Sequence, residues 1–260
     1  MIDVHCHLEQ EDFNEDREKV IENCKKELKA VITCCAHPND FDLTMKMVEK
    51  NRNFIFATVG IHPEYIKEIK EKEVEDLIEK IKENSEKIVG IGEIGLDYWW
   101  IKEEYWQKKQ KELFIQLIEV AKELKKPMLI HSRKAYDDTV RILEQEDARK
   151  VDLHMFGANH LVKRAIENNW FISMNAIVLR SKKHKKVVRD FPLEKLMLET
   201  DSPWLSPKKL LERIEERNVP TSIKIVAEKI AEIKKVSFDE VWKKCGENAI
   251  NFFKLPITLF

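Results

Sequence analysis

The chain has 260 residues, with 46 Lys and Arg against 47 Asp and Glu, a net charge of −1 and 43% hydrophobic residues. That length fits one or two domains, the apolar content excludes a disordered chain, and the balanced charge excludes a protein that grips nucleic acid by its overall field. No apolar stretch approaches the ~18 residues of a membrane span, so no membrane partner is expected; the longest, 54–61, is strand-sized.

In chain order, short β-branched runs alternate with longer amphipathic ones. Strands are predicted at 1–7, 30–36, 54–61, 88–94, 128–131, 151–156, 171–175 and 196–200. Helices are predicted at 16–28, 41–50, 74–83, 105–124, 136–143, 161–168 and 183–189, with a charged helix at 206–216 and two more at 223–233 and 238–253. Asn39 before Phe41, and Ser237 with Glu240 three residues on, read as helix N-caps. Strands separated by helical stretches are βα units of a parallel sheet, and eight of them make a single-domain (β/α)₈ barrel spanning 1–260. An open doubly wound sheet is the rival; no glycine-rich loop opening a helix follows any predicted strand to support it.

Five cysteines, odd in number and without a CxxC pair, argue against a disulfide framework or a thiolate zinc site. The sequence opens on Met1-Ile2-Asp3-Val4-His5 with no basic and apolar leader, so a reducing cytoplasm is expected.

A parallel barrel delivers the last residues of every strand to one rim, where active sites are built. Here those residues are His5 and His7, His62, Glu93, His131, His154 and Asp201. His5 and His7 stand at i and i+2, so both side chains point the same way. Two imidazoles so placed can share a divalent ion, His131 and His154 can hold a second, and Glu93 can bridge the two with its oxygens. Such a pair of ions activates water and stabilises both oxygens of a phosphoester displacement. Asp201 then ligates the first ion, manages the proton of the attacking water, or does both. Burying so many polar groups unpaired costs roughly a few kcal/mol each, which argues against a packing role. Asp97 and Glu199 are candidate partners for the ligating imidazoles, and alternation turns Cys6 to the opposite side as a packing residue.

The motifs resemble the TatD family of metal-dependent deoxyribonucleases. They are Asp3-Val4-His5-Cys6-His7-Leu8, Gly60-Ile61-His62-Pro63, Gly92-Glu93-Ile94-Gly95-Leu96-Asp97-Tyr98, His131-Ser132-Arg133, His154-Met155-Phe156, Thr200-Asp201-Ser202-Pro203-Trp204-Leu205 and Arg217-Asn218-Val219-Pro220. The resemblance implies that His5, His7, Glu93 and Asp201 surround one ion and Glu93, His131 and His154 the other, with His62 and Arg133 facing the substrate phosphate. It implies an exonuclease-like enzyme on DNA ends or single strands, with Mg²⁺, Mn²⁺ or Zn²⁺ as its two ions. Two departures flank the ligand positions and bear on substrate preference. Gly157-Ala158-Asn159 stands where the family tends to have Ser-Gly, and the charged helix 206–216 (with Lys208, Lys209, Glu212, Arg213, Glu215 and Glu216) replaces a Pro-rich basic loop.

An alternative is a related metal hydrolase on a small amide, lactone or phosphoester. Related barrels of that kind bridge their ions with a carboxylated Lys after strand four, where this chain has Glu93 and no Lys before Lys102. A binding protein with structural metals is a third reading and needs a closed coordination shell. Residues 180–189 hold six Lys and Arg, readable as a landing strip for a nucleic-acid backbone or as a solvated helix face. Tyr98, Trp99 and Trp100 can stack on an unpaired base or pack under a loop. Nothing in the pattern sets an oligomeric state.

Overall fold

The computed structural model describes every residue except Glu215 and Phe260; the part of the expected 206–216 helix at Glu215 therefore lies outside the described residues. The β-branched runs form strands buried on both faces, as a parallel sheet between a helical shell and a packed interior requires. They are β1 (Ile2–Cys6), β2 (Ala30–Cys35), β3 (Ile55–Val59), β4 (Ile88–Asp97), β5 (Met128–Arg133), β6 (Val151–Leu153), β7 (Phe171–Met174) and β8 (Leu196–Leu198). They pair in sequence order, each parallel to the next. Beyond β8 the chain returns to β1. Thr200 and Asp201 donate their N–H groups to the His5 carbonyl at 3.3 and 2.9 Å, and His7 N–H donates to the Ser202 carbonyl at 2.7 Å. These bonds close the expected (β/α)₈ barrel.

The shell comprises α1 (Arg17–Glu27), α2 (Phe41–Lys50), α3 (Glu71–Glu83), α4 (Glu104–Glu123), α5 (Tyr136–Gln145), α6 (Val162–Glu167), α7 (Lys182–Asp190), α8 (Pro207–Glu212), α9 (Ile223–Lys234) and α10 (Phe238–Phe253). The longer helices each bury an apolar stripe; in α4 it includes Leu113, Phe114, Leu117, Ile118 and Ala121, at helical spacing. No described helix is long and apolar enough to cross a membrane.

Most differences from the sequence expectation fall at strand ends. β6 stops at Leu153 and β8 at Leu198, earlier than expected, and just beyond them Met155 and Asp201 take positive φ values of 43° and 57°. α3 begins at Glu71 rather than 74, because its first turn, Glu71-Lys72-Glu73, carries no apolar period, yet Lys70 N–H donates to Glu73 Oε2 at 2.9 Å. α8 is shorter than expected and ends at Arg213 with φ 60°. Asn39 is not an N-cap: Asp40 precedes α2 without a side-chain bond, and Asn39 donates its N–H to His37 Nδ1 instead. Ser237 does cap α10, accepting from Glu240 N–H at 3.1 Å.

Gly90, Gly92 and Gly95 have the spacing of a dinucleotide-binding loop, but all three lie inside β4. Gly95 has φ 146°, and a Cβ there would stand 2.0 Å from the His131 carbonyl oxygen, so only glycine lets β4 approach β5 this closely.

Beneath the rim, the fully buried Asp3 fastens the barrel seam. Its Oδ1 accepts from His5 N–H (3.2 Å) and Thr200 N–H (3.0 Å), and its Oδ2 from the Thr200 hydroxyl (2.5 Å). Replacing it by alanine removes three buried hydrogen bonds and leaves His5 N–H without its acceptor. The expected loss for Asp3→Ala is about 3 kcal/mol, a fall of roughly 6–12 °C in Tm for a chain of this size. Calorimetry on the two proteins checks it; an unchanged Tm refutes the assignment of the seam to Asp3.

Candidate metal centre

The rim gathers the expected residues at one point. His5 Nε2 stands 3.4 Å from Glu93 Oε2 and 3.4 Å from Asp201 Oδ1, and 3.1 Å from His7 Nε2. His7 Nε2 is 3.8 Å from the same Glu93 oxygen and 3.7 Å from the same Asp201 oxygen. The other Glu93 oxygen, Oε1, faces His131 Nδ1 at 2.7 Å and His154 Nε2 at 3.9 Å. His5, His7 and Asp201 thus gather on the side of one Glu93 oxygen, and His131 and His154 on the side of the other. Two of the sets whose ligand atoms lie within 4.8 Å of one another are His5–His7–Glu93 and Glu93–His131–His154. Imidazole and carboxylate donors this close, two of them ring nitrogens facing each other, suit divalent ions better than they suit one another.

The outer nitrogens explain how the rings are aimed. Carboxylates only accept, so each ring donates its outer N–H and turns the remaining nitrogen inward. His131 Nε2 donates to Asp97 Oδ2 at 3.0 Å and His154 Nδ1 to Glu199 Oε2 at 2.8 Å, the partners expected from sequence. His7 Nδ1 lies 3.0 Å from Glu9 Oε1 and 3.1 Å from the Cys34 carbonyl, and the Thr33 hydroxyl holds Glu9 Oε2 at 2.7 Å. Glu9 is buried and was missed in the sequence. The signal was there: Asp3, His5, His7 and Glu9 continue one period-2 series into the interior. Cys6, out of that series, packs in the hydrophobic core as expected.

His62 is buried beside the second set, its Nε2 3.1 Å from His131 Nδ1 and 3.7 Å from Glu93 Oε1. Glu64 N–H donates to His62 Nδ1, which leaves the ring proton on Nε2, pointing into the site. Arg133 is exposed above it, its guanidinium 5.3 Å from the Trp99 ring and 5.5 Å from Trp100. Tyr98 does not face outward with the two tryptophans: its hydroxyl donates to Asp138 Oδ2 at 2.7 Å. Trp204, 46% exposed, lies 4.8 Å from the His7 ring. His62, Arg133, Trp100 and Trp204 line a cavity of about 510 Å³ whose walls include every expected ligand except His5, which stands 3.4 Å from both Glu93 and Asp201. A larger cavity, about 740 Å³, lies at the other end of the barrel among Arg52, Lys87, Lys126 and Phe253, with no imidazole in its lining. The donor set, not the volume, therefore locates the chemistry.

Charge in the cluster is coupled. Burial would push the Glu93 carboxyl up, but the surrounding imidazoles outweigh it and hold it well below the usual range. Asp201 is likewise held down against burial by its hydrogen bond to His5 and by His154 and His7. Burial alone would depress His7 and His131, yet Glu9 raises the first to about 9, and Asp97 with Glu93 raises the second to about 9. Burial and the neighbouring His131 take His62 down to about 3, so it is neutral.

Burial would depress His154 too, yet Glu199 and Glu93 raise it well above its ordinary range. All three raised imidazoles are then protonated at pH 7 and would have to lose a proton to ligate, so divalent-ion binding at pH 7 is expected to release about three protons and apparent affinity to rise steeply with pH. Calorimetric titration in buffers of different ionisation enthalpy measures this; release of none refutes it. Glu9→Gln is expected to weaken ion binding by about 10–100-fold with the fold retained, as read by competition with a chelating dye.

The sequence matches the family described as TatD related DNase over residues 2–254. It is 37% identical to the metal-dependent hydrolase YabD of Bacillus subtilis (strain 168), covering 98% of this chain and 99% of that one. It is 32% identical to the Homo sapiens protein named deoxyribonuclease TATDN3, covering 97% and 94%. The fold matches the crystal structure of YJJV, a TatD homologue from Escherichia coli K12, with a TM-score of 0.89 and 23% identity over 98% of both chains. On this agreement of sequence, barrel and rim residues, the chain belongs to the TatD family of metal-dependent hydrolases.

Proposed function

We propose that this TatD-type hydrolase cleaves phosphodiester bonds of DNA, removing nucleotides from an end, with two divalent ions held at the rim. One observation carries the reading: the two oxygens of the buried Glu93 face two separate sets of ligand atoms. His5, His7, Glu93 and Asp201 would hold one ion, and Glu93, His131 and His154 the other. When bound, such ions, Mg²⁺, Mn²⁺ or Zn²⁺, supply Lewis acidity and lower the pKa of water.

The chain's own groups do the rest. Asp201, ionised and with 15% of its side chain exposed against 4% for Glu93, is the more open of the two cluster carboxylates, and it accepts the proton of the attacking water. Arg133 presents a planar fork of donors to two phosphate oxygens, and the tryptophans stacked beside it keep the fork in place. The Nε2–H of neutral His62 donates to a third oxygen without adding a charge to the crowded site. The five cysteines are free and buried, which supports the cytoplasmic assignment. A small-molecule amide or lactone is less well served, because β4 offers Glu93, and not a lysine, at the bridging place.

End-labelled single-stranded and duplex DNA, incubated with Mg²⁺, Mn²⁺, Zn²⁺ or EDTA, tests the reading. The wild type is expected to shorten the strands stepwise with metal and not with EDTA, and Asp201→Asn to lower kcat about 10³-fold. Full activity of the Asp201→Asn protein overturns the role given to Asp201. No cleavage by folded, metal-loaded wild type overturns the nuclease reading in favour of a small substrate.

A further inference from the structure

The charge around the cavity mouth is one-sided. On the β1–β3 side the loops carry Glu11, Asp12, Asp40 and Glu64. Burial and the neighbouring Glu9 raise the Asp40 carboxyl, and burial and Glu93 raise Glu64, so negative charge there is already crowded. On the β5–β7 side the loops and the first turn of α7 carry Arg133, Lys134, Arg180, Lys182 and Lys183, all exposed or half-exposed. None of these five has a carboxylate within ion-pair distance among the described residues. The two acids in the first turn of α5, the helix after β5, are engaged elsewhere: Asp137 with His160, and Asp138 with Lys111 and Arg141.

This cluster is held together at a cost. Burial and the adjacent Lys134 and Arg133 lower the Lys183 ammonium below its ordinary range, and its Nζ sits 5.8 Å over the Tyr136 ring. Lys182 and Lys183 occupy the first turn of α7, where the helix dipole disfavours cations and no acidic residue offsets them. The same turn of the helix packs against the segment that follows β6. His184 Nδ1 bonds Ser181 Oγ at 2.7 Å, and its ring packs against Gly157, where a Cβ would stand 2.6 Å from Nε2. The glycine that departs from the family pattern thus seats α7 against the end of β6, one residue run from His154. Like charges fixed side by side, unpaired, next to a phosphate-handling cavity form a surface that a row of phosphates would relieve.

We infer that the sugar-phosphate backbone of the strand being degraded leaves the metal centre over the β5–β7 side of the rim, with its next phosphates on Lys134, Arg180 and Lys183. The inference rests on the phosphodiesterase reading and specifies the partner as a strand of several nucleotides, repelled by the β1–β3 loops.

The test compares metal-loaded wild type, Lys134→Gln/Lys183→Gln, and a control with the same charge change at the far end of the barrel, Lys125→Gln/Lys126→Gln. Affinity for a fluorescein-labelled 20-nucleotide single strand is read by anisotropy within seconds of mixing, over a salt series, and turnover is measured on that strand and on a thymidine dinucleotide. For the β5–β7 pair we expect about tenfold weaker binding of the long strand and a salt slope smaller by ~1.4, two single-strand phosphate contacts. Its kcat/KM on the dinucleotide should stay within twofold of wild type, and the far-end variant should bind as wild type. Unchanged binding and slope in the β5–β7 variant, or an equal loss in the far-end variant, overturns the inference. A strand that the wild type cuts while the β5–β7 variant binds it normally removes this path and leaves the nuclease reading standing. A strand that is bound through the two lysines and never cut supports the path and removes the nuclease reading.

Discussion

Everything at the rim depends on one buried carboxylate, Glu93, being surrounded by imidazoles. An ionised carboxylate stripped of water is costly, and so is a set of imidazoles sharing one small space. Each makes the other tolerable. Glu93 stays ionised because His131, His5 and His154 approach it, and His131 keeps a proton because Glu93 and Asp97 accept from it. No local stretch of chain can build such a cluster, since its members come from the ends of β1, β3, β4, β5, β6 and β8. The closed parallel barrel is the device that brings those ends together.

The supporting carboxylates extend the same logic outward. Glu9, Asp97 and Glu199 are buried, and each fixes the outer nitrogen of one ring. They turn a set of residue types into a set of directions, because the inward nitrogen of each ring is settled by what the outward one touches. His5 is the exception: its Nδ1 has no hydrogen-bond partner among the described groups, and its ring is held by His7 and His154 on either side.

Fold and site were legible in the sequence to different depths. The βα alternation was clear because buried parallel strands are short and β-branched and their helices are long and charged. α2 and α10 were predicted with the bounds observed, since apolar spacing marks both of their ends. Strand ends were harder to place. Where β6 and β8 give way to the site, His154 and Thr200 still look like strand residues in sequence, whereas Met155 and Asp201 take positive φ. The ligand types were legible because histidines and carboxylates at strand ends have no bland use. Glu9 was not, because it stands beyond the strand and only the parity of Asp3, His5 and His7 points to it. The partnering of Arg133 with two tryptophans and the engagement of Tyr98 with Asp138 were likewise invisible, being contacts between elements that sequence spacing does not order.

The seam between β8 and β1 carries a consequence for the protein's birth on the ribosome. The proposed ligands run from His5 to Asp201, and the bonds that close the barrel join those same two neighbourhoods: Thr200 and Asp201 to His5, Ser202 to His7. A nascent chain that has not yet delivered residue 201 has neither a closed barrel nor a complete ligand set. Three-quarters of the chain therefore lacks the complete set of proposed ligands, and the step that finishes the architecture is also the step that completes that set. For a hydrolase whose proposed substrate is DNA, that coincidence leaves an unfinished copy without the proposed site and calls for no separate inhibitor.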